Sequence, residues 1–171
     1  MSRPTQFGES FIGQGVNAAH INTVLGETGG PVETAWVTAL ATPRPGHAAF
    51  VAVIEPGTAV RPFTLFVNKA TIASERHGTL TWGAAQAGVA AGVLAAVADG
   101  VIPPSLVADA LIVAAVWVNP DAGDEQAVYR NNRDATLGAL RAGRDGRPGV
   151  ADALAARHHP HNAYFEGPVG D

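Results

Sequence analysis

Two short stretches of this chain alternate polar and apolar side chains inside otherwise apolar surroundings. The first is Ala18-Ala19-His20-Ile21-Asn22-Thr23-Val24-Leu25-Gly26, and the second is Val67-Asn68-Lys69-Ala70-Thr71-Ile72. A period of two predicts strands whose every second side chain lies on one face. His20 and Asn22 then share a face, as do Lys69 and Thr71. A short strand ending at Phe11-Ile12-Gly13 precedes the first stretch, turned by Gly13-Gln14-Gly15. Pro31 is placed to open a helix over 32–41, which Pro43-Arg44-Pro45-Gly46 stops. Residues 48–54 read as a buried strand, with Pro56-Gly57 as a turn before the strand over 64–72. An alanine-rich helix is predicted over 82–98, with Gly100 as its stop. Pro103-Pro104-Ser105 starts a short turn, and residues 111–118 form a strongly apolar strand. A long helix over 124–144 has an acidic start and a basic end, as the helix dipole favours. A short helix follows over 150–156, and residues 158–171 read as an irregular tail.

This order mixes strands and helices without strict alternation. It predicts an α+β fold in which helices pack on one face of a mainly antiparallel sheet. No linker or internal repeat divides the chain, so residues 1–171 are expected to form one domain. Hydrophobic residues make up 47% and charged residues 15%, a weakly charged surface of the kind often covered by subunit contacts. The net charge of −4 and an aromatic content of 6% argue against nucleic acid as a partner. With no cysteine, disulfides, thiolate metal sites and a cysteine nucleophile are excluded. The segment Met1-Ser2-Arg3-Pro4-Thr5-Gln6 has no apolar signal region. The apolar stretches 84–98 and 108–118 read as too short, or too rich in glycine and polar residues, to cross a membrane. A cytoplasmic location is the expectation.

His20 is the first candidate for chemistry, because an ordinary imidazole titrates near neutrality and can give or take a proton. A strand histidine held by a neighbour is the plainer alternative. Lys69, among apolar and β-branched residues, suits anion binding or Schiff-base formation, or simply guards an edge strand. Thr71 is a good strand residue. Gln86 sits among small neighbours in Gly83-Ala84-Ala85-Gln86-Ala87-Gly88-Val89, where a ligand or another backbone can approach. His158, His159 and His161 cluster in the tail, but Pro160 interrupts them and no acidic or cysteine ligand accompanies them, so no metal site is expected. His47 and His77 carry no signal of their own. Gly26-Glu27-Thr28-Gly29-Gly30-Pro31 lacks the lysine of a phosphate loop and the spacing of a dinucleotide loop.

These pieces together resemble the formaldehyde-activating enzyme family, the tetrahydromethanopterin hydro-lyases. The resemblance spans about Gly8 to Pro103. It is carried by Gly8-Glu9-Ser10-Phe11-Ile12-Gly13-Gln14-Gly15, Ala19-His20-Ile21-Asn22, Gly30-Pro31-Val32-Glu33-Thr34-Ala35, Ala52-Val53-Ile54, Asn68-Lys69-Ala70-Thr71-Ile72 and Ala85-Gln86-Ala87-Gly88-Val89-Ala90. The resemblance implies a fold like ribosomal protein S5 domain 2. It also implies condensation of formaldehyde with a tetrahydropterin, giving the methylene-bridged pterin with loss of water. The family's catalytic histidine falls on His20, and its pterin-contacting positions fall on Asn22, Val51, Lys69, Thr71 and Gln86. Tetrahydromethanopterin or a related reduced pterin is the implied co-substrate. No metal or prosthetic group is implied. The implied assembly is a homopentamer with pterin clefts between subunits.

Two positions depart from the family pattern. Asn22 stands where an aspartate is typical, keeping the shape and the hydrogen bonding but not the charge. Val51 replaces a leucine. A carboxylate at position 22 would favour protonated His20, and an amide cannot. The departure motivates two further readings: a non-catalytic carrier or sensor that binds a pterin or formaldehyde adduct, and a related condensing enzyme that uses another amine.

Overall fold

The chain is seen in a computed structural model that describes residues 4–168. Met1–Arg3 of the N-terminal segment and residues 169–171 of the tail lie outside the described residues. Strand β1 (Gln6–Ile12) pairs antiparallel with β2 (Ala19–Glu27). Helix α1 (Pro31–Ala41) follows, opened by Pro31 in its first turn. Strand β3 (Ala49–Val51) is short, and a separate hairpin of β4 (Val53–Glu55) and β5 (Thr58–Ala59) comes next. Strand β6 (Phe63–Asn68) leads into α2 (Glu75–Leu80), a π-helical turn at Thr81–Ala85, and α3 (Gln86–Ala98). Strand β7 (Ala110–Val118), the 21-residue α4 (Glu125–Asp145) and the short α5 (Val150–Ala155) complete the order. The five-stranded sheet runs β1-β2-β7-β6-β3.

The α+β expectation holds, with three differences that have physical causes. The sheet is mixed, because β6 and β7 run parallel. Parallel neighbours need a crossover, and here α2 and α3 supply it. The predicted 48–54 strand divides at Ala52, whose N–H donates to Thr64 O at 2.8 Å and whose carbonyl accepts from Val60 N–H at 3.0 Å. The residues beyond it therefore leave the main sheet for the hairpin. The helix predicted from residue 82 begins earlier. Ser74 Oγ accepts from His77 N–H at 3.1 Å and caps it, a start obscured by the polar run Glu75-Arg76-His77. The joined helix Glu75–Ala98 is apolar and long enough to cross a membrane by composition alone. Most of it is buried inside the fold, as a core helix would be.

Helices α3 and α4 cover one face of the sheet. The odd-numbered residues of β2, namely Ala19, Ile21, Thr23 and Leu25, are buried there, beside Ile112, Ala114, Val116 and Val118 of β7 and Phe66 of β6. Val89, Val93, Ala135 and Ala139 face them from the helices. Removing a side chain the size of Ile21 or Phe66 from water contributes on the order of 1.5–3 kcal/mol. Contrary to the one-face expectation, α1 lies on the opposite face, where its buried Val32 and its Ala35 line a small cleft with Val24 and Val113. His77, unremarked in the sequence, is a fully buried structural residue. Its Nδ1 accepts from Ala73 N–H at 3.1 Å and its Nε2–H donates to Val118 O at 3.0 Å.

Glycines let the two long helices touch. A Cβ on Gly92 would stand 2.5 Å from Arg133 O, and one on Gly88 would stand 2.5 Å from Tyr129 O. Backbone of the facing helix cannot swing aside as a side chain does. Gly92→Ala gains up to about 1 kcal/mol in helix propensity, but it forces the helices apart. A net loss of about 1–3 kcal/mol in unfolding free energy is expected. Urea denaturation measures it, and an unchanged or raised midpoint would contradict the close approach.

Candidate active site

The sheet face away from α3 and α4 carries the even-numbered residues of β2. Strand pairing sets them in rows. Phe11, His20 and Trp117 lie side by side across β1, β2 and β7. Glu9, Asn22, Ala115, Val67 and Ala49 form the next row, followed by Phe7, Val24, Val113, Leu65 and Val51. Helix α1 covers the last row near Val24 and Val113. The first two rows stay open.

Lys69 enters this face from the end of β6. Its N–H makes the last bond to β7, donating to Val116 O at 2.7 Å. The chain then leaves the sheet, because Asn68 Nδ2 donates to the carbonyls of Ala70 (2.8 Å) and Gly46 (2.9 Å). The predicted strand over 64–72 therefore stops at Asn68, and the face shared by Lys69 and Thr71 does not form. Lys69 Nζ donates to Asn22 Oδ1 at 2.8 Å and lies 3.2 Å from His20 Nδ1. On the other side of the ring, His20 Nε2 pairs with Glu9 Oε1 at 2.9 Å. The four side chains thus form a line, Glu9 to His20 to Lys69 to Asn22. With the imidazole neutral, its Nε2–H donates to Glu9, and its Nδ1 lone pair faces the lysine.

Burial and charge tune both bases. Burial pushes the Lys69 ammonium down from its ordinary 10.5 to about 8, against the opposing pull of Glu9. His20 is also held below its ordinary value, first by burial and then by the Lys69 charge, while the Glu9 carboxylate works the other way. Lys69 is the only lysine in the chain, a signal that composition carried.

Two concavities flank the ring. One, of about 720 Å³, is lined by Glu9, Phe11, His20, Asn22 and the tail residues His161–Tyr164. The other, of about 280 Å³, is bounded by Phe11, His20, Asn22, Lys69, Trp117 and Tyr164. Tyr164 meets Trp117 edge-to-face at 5.8 Å between ring centroids. The described part of the tail, with a bridge between Asn162 and Phe165, thus lies beside the site.

Of the residues singled out in the sequence, the fold gathers His20, Asn22 and Lys69. It leaves the other three apart. Thr71 Oγ1 lies 3.2 Å from His47 Nε2 in an exposed turn. Val51 shares the open face but stands in the third row, opposite Leu65. Gln86 belongs to the helical layer, where its Nε2 donates to Val53 O at 2.7 Å and it is nearly buried. Sequence reasoning missed Glu9, Phe11, Trp117 and Tyr164 as wall residues. The first two were within reach, since they alternate on the strand that pairs with β2.

An imidazole and an amine on an open sheet face, both shifted toward their uncharged forms, give this α+β scaffold groups that can bind a small molecule and exchange protons with it. Comparison with known proteins narrows the class. A model of the family described as Formaldehyde-activating enzyme (Fae) matches residues 7–165. The chain is 44% identical over 156 residues to a 5,6,7,8-tetrahydromethanopterin hydro-lyase of Methanosarcina barkeri, covering 90% of this chain and 88% of that protein. It is 36% identical to a bifunctional enzyme Fae/Hps of Methanosarcina mazei, over 87% of this chain but 38% of that longer protein. A bifunctional enzyme Fae/Hps of Methanothrix thermoacetophila is 35% identical over 92% of this chain and 41% of its own length. The chain belongs to the formaldehyde-activating enzyme family.

The displaced lysine can be measured directly. With a midpoint of about 8 in place of 10.5, roughly one Lys69 in ten is a free amine at pH 7. Acylation of Lys69, separated from the α-amino group by peptide mapping, is expected to reach half its limiting rate near pH 8. Asn22→Asp puts a carboxylate against Nζ, favours the ammonium and moves that midpoint upward. A wild-type midpoint near 10.5 would show that burial does not act on Lys69. The same shift makes folding less stable below about 8, where the folded chain must hold a half-buried ammonium. Stability then rises as pH climbs from about 8 toward 10.5, because the unfolded chain binds the extra proton.

Proposed function

We propose that this protein condenses formaldehyde with tetrahydromethanopterin or a closely related reduced pterin, releasing water. The observation that carries the reading is the cluster of His20, Lys69 and Asn22 on the open sheet face of a formaldehyde-activating enzyme family member. A ring amine of the pterin adds to the aldehyde carbon and forms a carbinolamine. Its hydroxyl leaves only after gaining a proton, and His20 is the group proposed to give it. The carbon–oxygen bond breaks, water departs, and an iminium remains. The second pterin amine attacks that carbon, and the proton it loses returns to His20. A positioned acid of this kind contributes on the order of 10²–10⁴-fold, and holding aldehyde against amine adds a proximity gain.

Asn22 and Lys69 are proposed to orient the pterin, together with Val51, Thr71 and Gln86. That the last three stand apart from His20 within one chain supports a cleft completed by a second copy, as in a homopentamer. Exposed apolar side chains at Phe7 (68%), Val37 (53%) and Ile54 (51%) support the same assembly. A fold of the ribosomal protein S5 domain 2 kind, a single domain and a cytoplasmic location complete the proposal.

The decisive measurement is methylene-pterin formation at limiting tetrahydromethanopterin, corrected for the uncatalysed reaction. Wild-type protein is expected to accelerate it, and His20→Ala is expected to lose 10²–10⁴-fold of that acceleration, in line with a general acid. Unchanged turnover in His20→Ala would remove the role given to the imidazole. Pterin binding by calorimetry with no acceleration at all would mark the chain as a carrier or sensor. Sedimentation should return a mass near five times that of one chain.

A further inference from the structure

We propose that Glu9, on the strand beside His20, is the positioning carboxylate that keeps this imidazole able to give a proton, a task Asn22 cannot perform. The inference rests on the proposed acid role of His20. The Glu9–Asn22 pairing on adjacent strands places the two side chains in one row, so a carboxylate on β1 stands on the same face as the amide on β2. Glu9 reaches diagonally to the next row, and its Oε1 lies 2.9 Å from His20 Nε2. The carboxylate fixes the proton on Nε2 and turns Nδ1 toward Lys69 and the smaller concavity. A carboxylate behind one ring nitrogen raises the basicity of the other and orients the ring, as it does for metal-bound and triad histidines.

The charges around the ring make this role necessary. Lys69 at 3.2 Å opposes a second positive charge on the imidazole. Asn22 offers a neutral amide, and its Oδ1 is taken by Lys69. From the tail, His161 and Tyr164 line the neighbouring space and bring no anion. Phe11 and Trp117, on either side in the same row, are uncharged. Among the described residues lining these two spaces, Glu9 is the carboxylate in contact with the ring. It is exposed, so Glu9→Gln keeps the shape and removes only the charge.

The test reads His20 in two ways. The imidazole titration is followed by NMR in the free protein, assigned with His20→Ala, the other five histidines serving as internal references. In Glu9→Gln the His20 midpoint is expected to fall by about one pH unit. Glu9→Asp, which keeps the charge on a shorter arm, is expected to recover part of the shift. In turnover, Glu9→Gln is expected to lower kcat several-fold at neutral pH with KM for the pterin unchanged, and to approach wild type as the pH falls. A His20 midpoint that stays in place in Glu9→Gln overturns the proposal. So does a variant whose KM rises while its pH profile keeps its wild-type position. Because the titration needs neither pterin nor aldehyde, it decides the pairing independently. Failure of the wild-type chain to accelerate condensation overturns the proposed reaction instead.

Discussion

The register of β2 against β7 is the constraint on which the rest depends. Nine residues pair in sequence, from Ala19 opposite Val118 to Glu27 opposite Ala110. Side chains on a strand alternate strictly, so a slip of one residue exchanges every inward group for an outward one. Here that exchange would drive His20 and Asn22 under α3 and α4 and expose Ile21 and Leu25. The apolar residues of β2 therefore hold the catalytic candidates in place without touching a substrate. Ile21 is fully buried between the sheet and the helices, and its burial penalises the alternative register.

The same packing sets the chemistry. Phe11 and Trp117 flank His20 across the row, and the tail adds Tyr164. Together they withdraw water from a ring and an amine that ordinarily carry a proton at different pH values. Burial lowers both, and the two nitrogens stand 3.2 Å apart. Two bases that close cannot both hold a charge cheaply. Charging one therefore works against charging the other, and the Lys69 charge is among the causes that hold the imidazole below its ordinary value.

Much of this was legible in the chain. Period-two alternation located β2 and the face shared by His20 and Asn22, and apolar runs located β7 and the helical layer. The limits were physical. Alternation continues through Ala70 and Thr71, but the Asn68 side chain captures two carbonyls and ends the strand, an event no local periodicity encodes. Which face α1 would cover depended on Gly26, where a Cβ would stand 2.5 Å from Val32 Cγ2, and so on tertiary fit. Glu9 was passed over because a strand glutamate looks solvated until its partner strand is known. Gln86 carried a signal through small neighbours, yet of these Gly88 serves the contact of α3 with α4.

The amide at position 22 gains its meaning from this geometry. Asn22 Oδ1 accepts from the lysine at 2.8 Å, so the negative charge of an aspartate there would act first on the amine and, one step further along the line, on the imidazole. An asparagine keeps the hydrogen bond and drops that bias. The remaining carboxylate is Glu9, which contacts His20 and through space also draws charge onto Lys69. Its side chain is 57% exposed, so solvent weakens its pull relative to a buried pair. The chain therefore relies on a softer, solvated carboxylate to oppose the burial and the Lys69 charge that together hold the imidazole below its ordinary value. A carboxylate on β1 behind Nε2 and an amide on β2 against Nζ thus leave the negative charge on the imidazole side of the line, on a strand pairing that sets both side chains in one row.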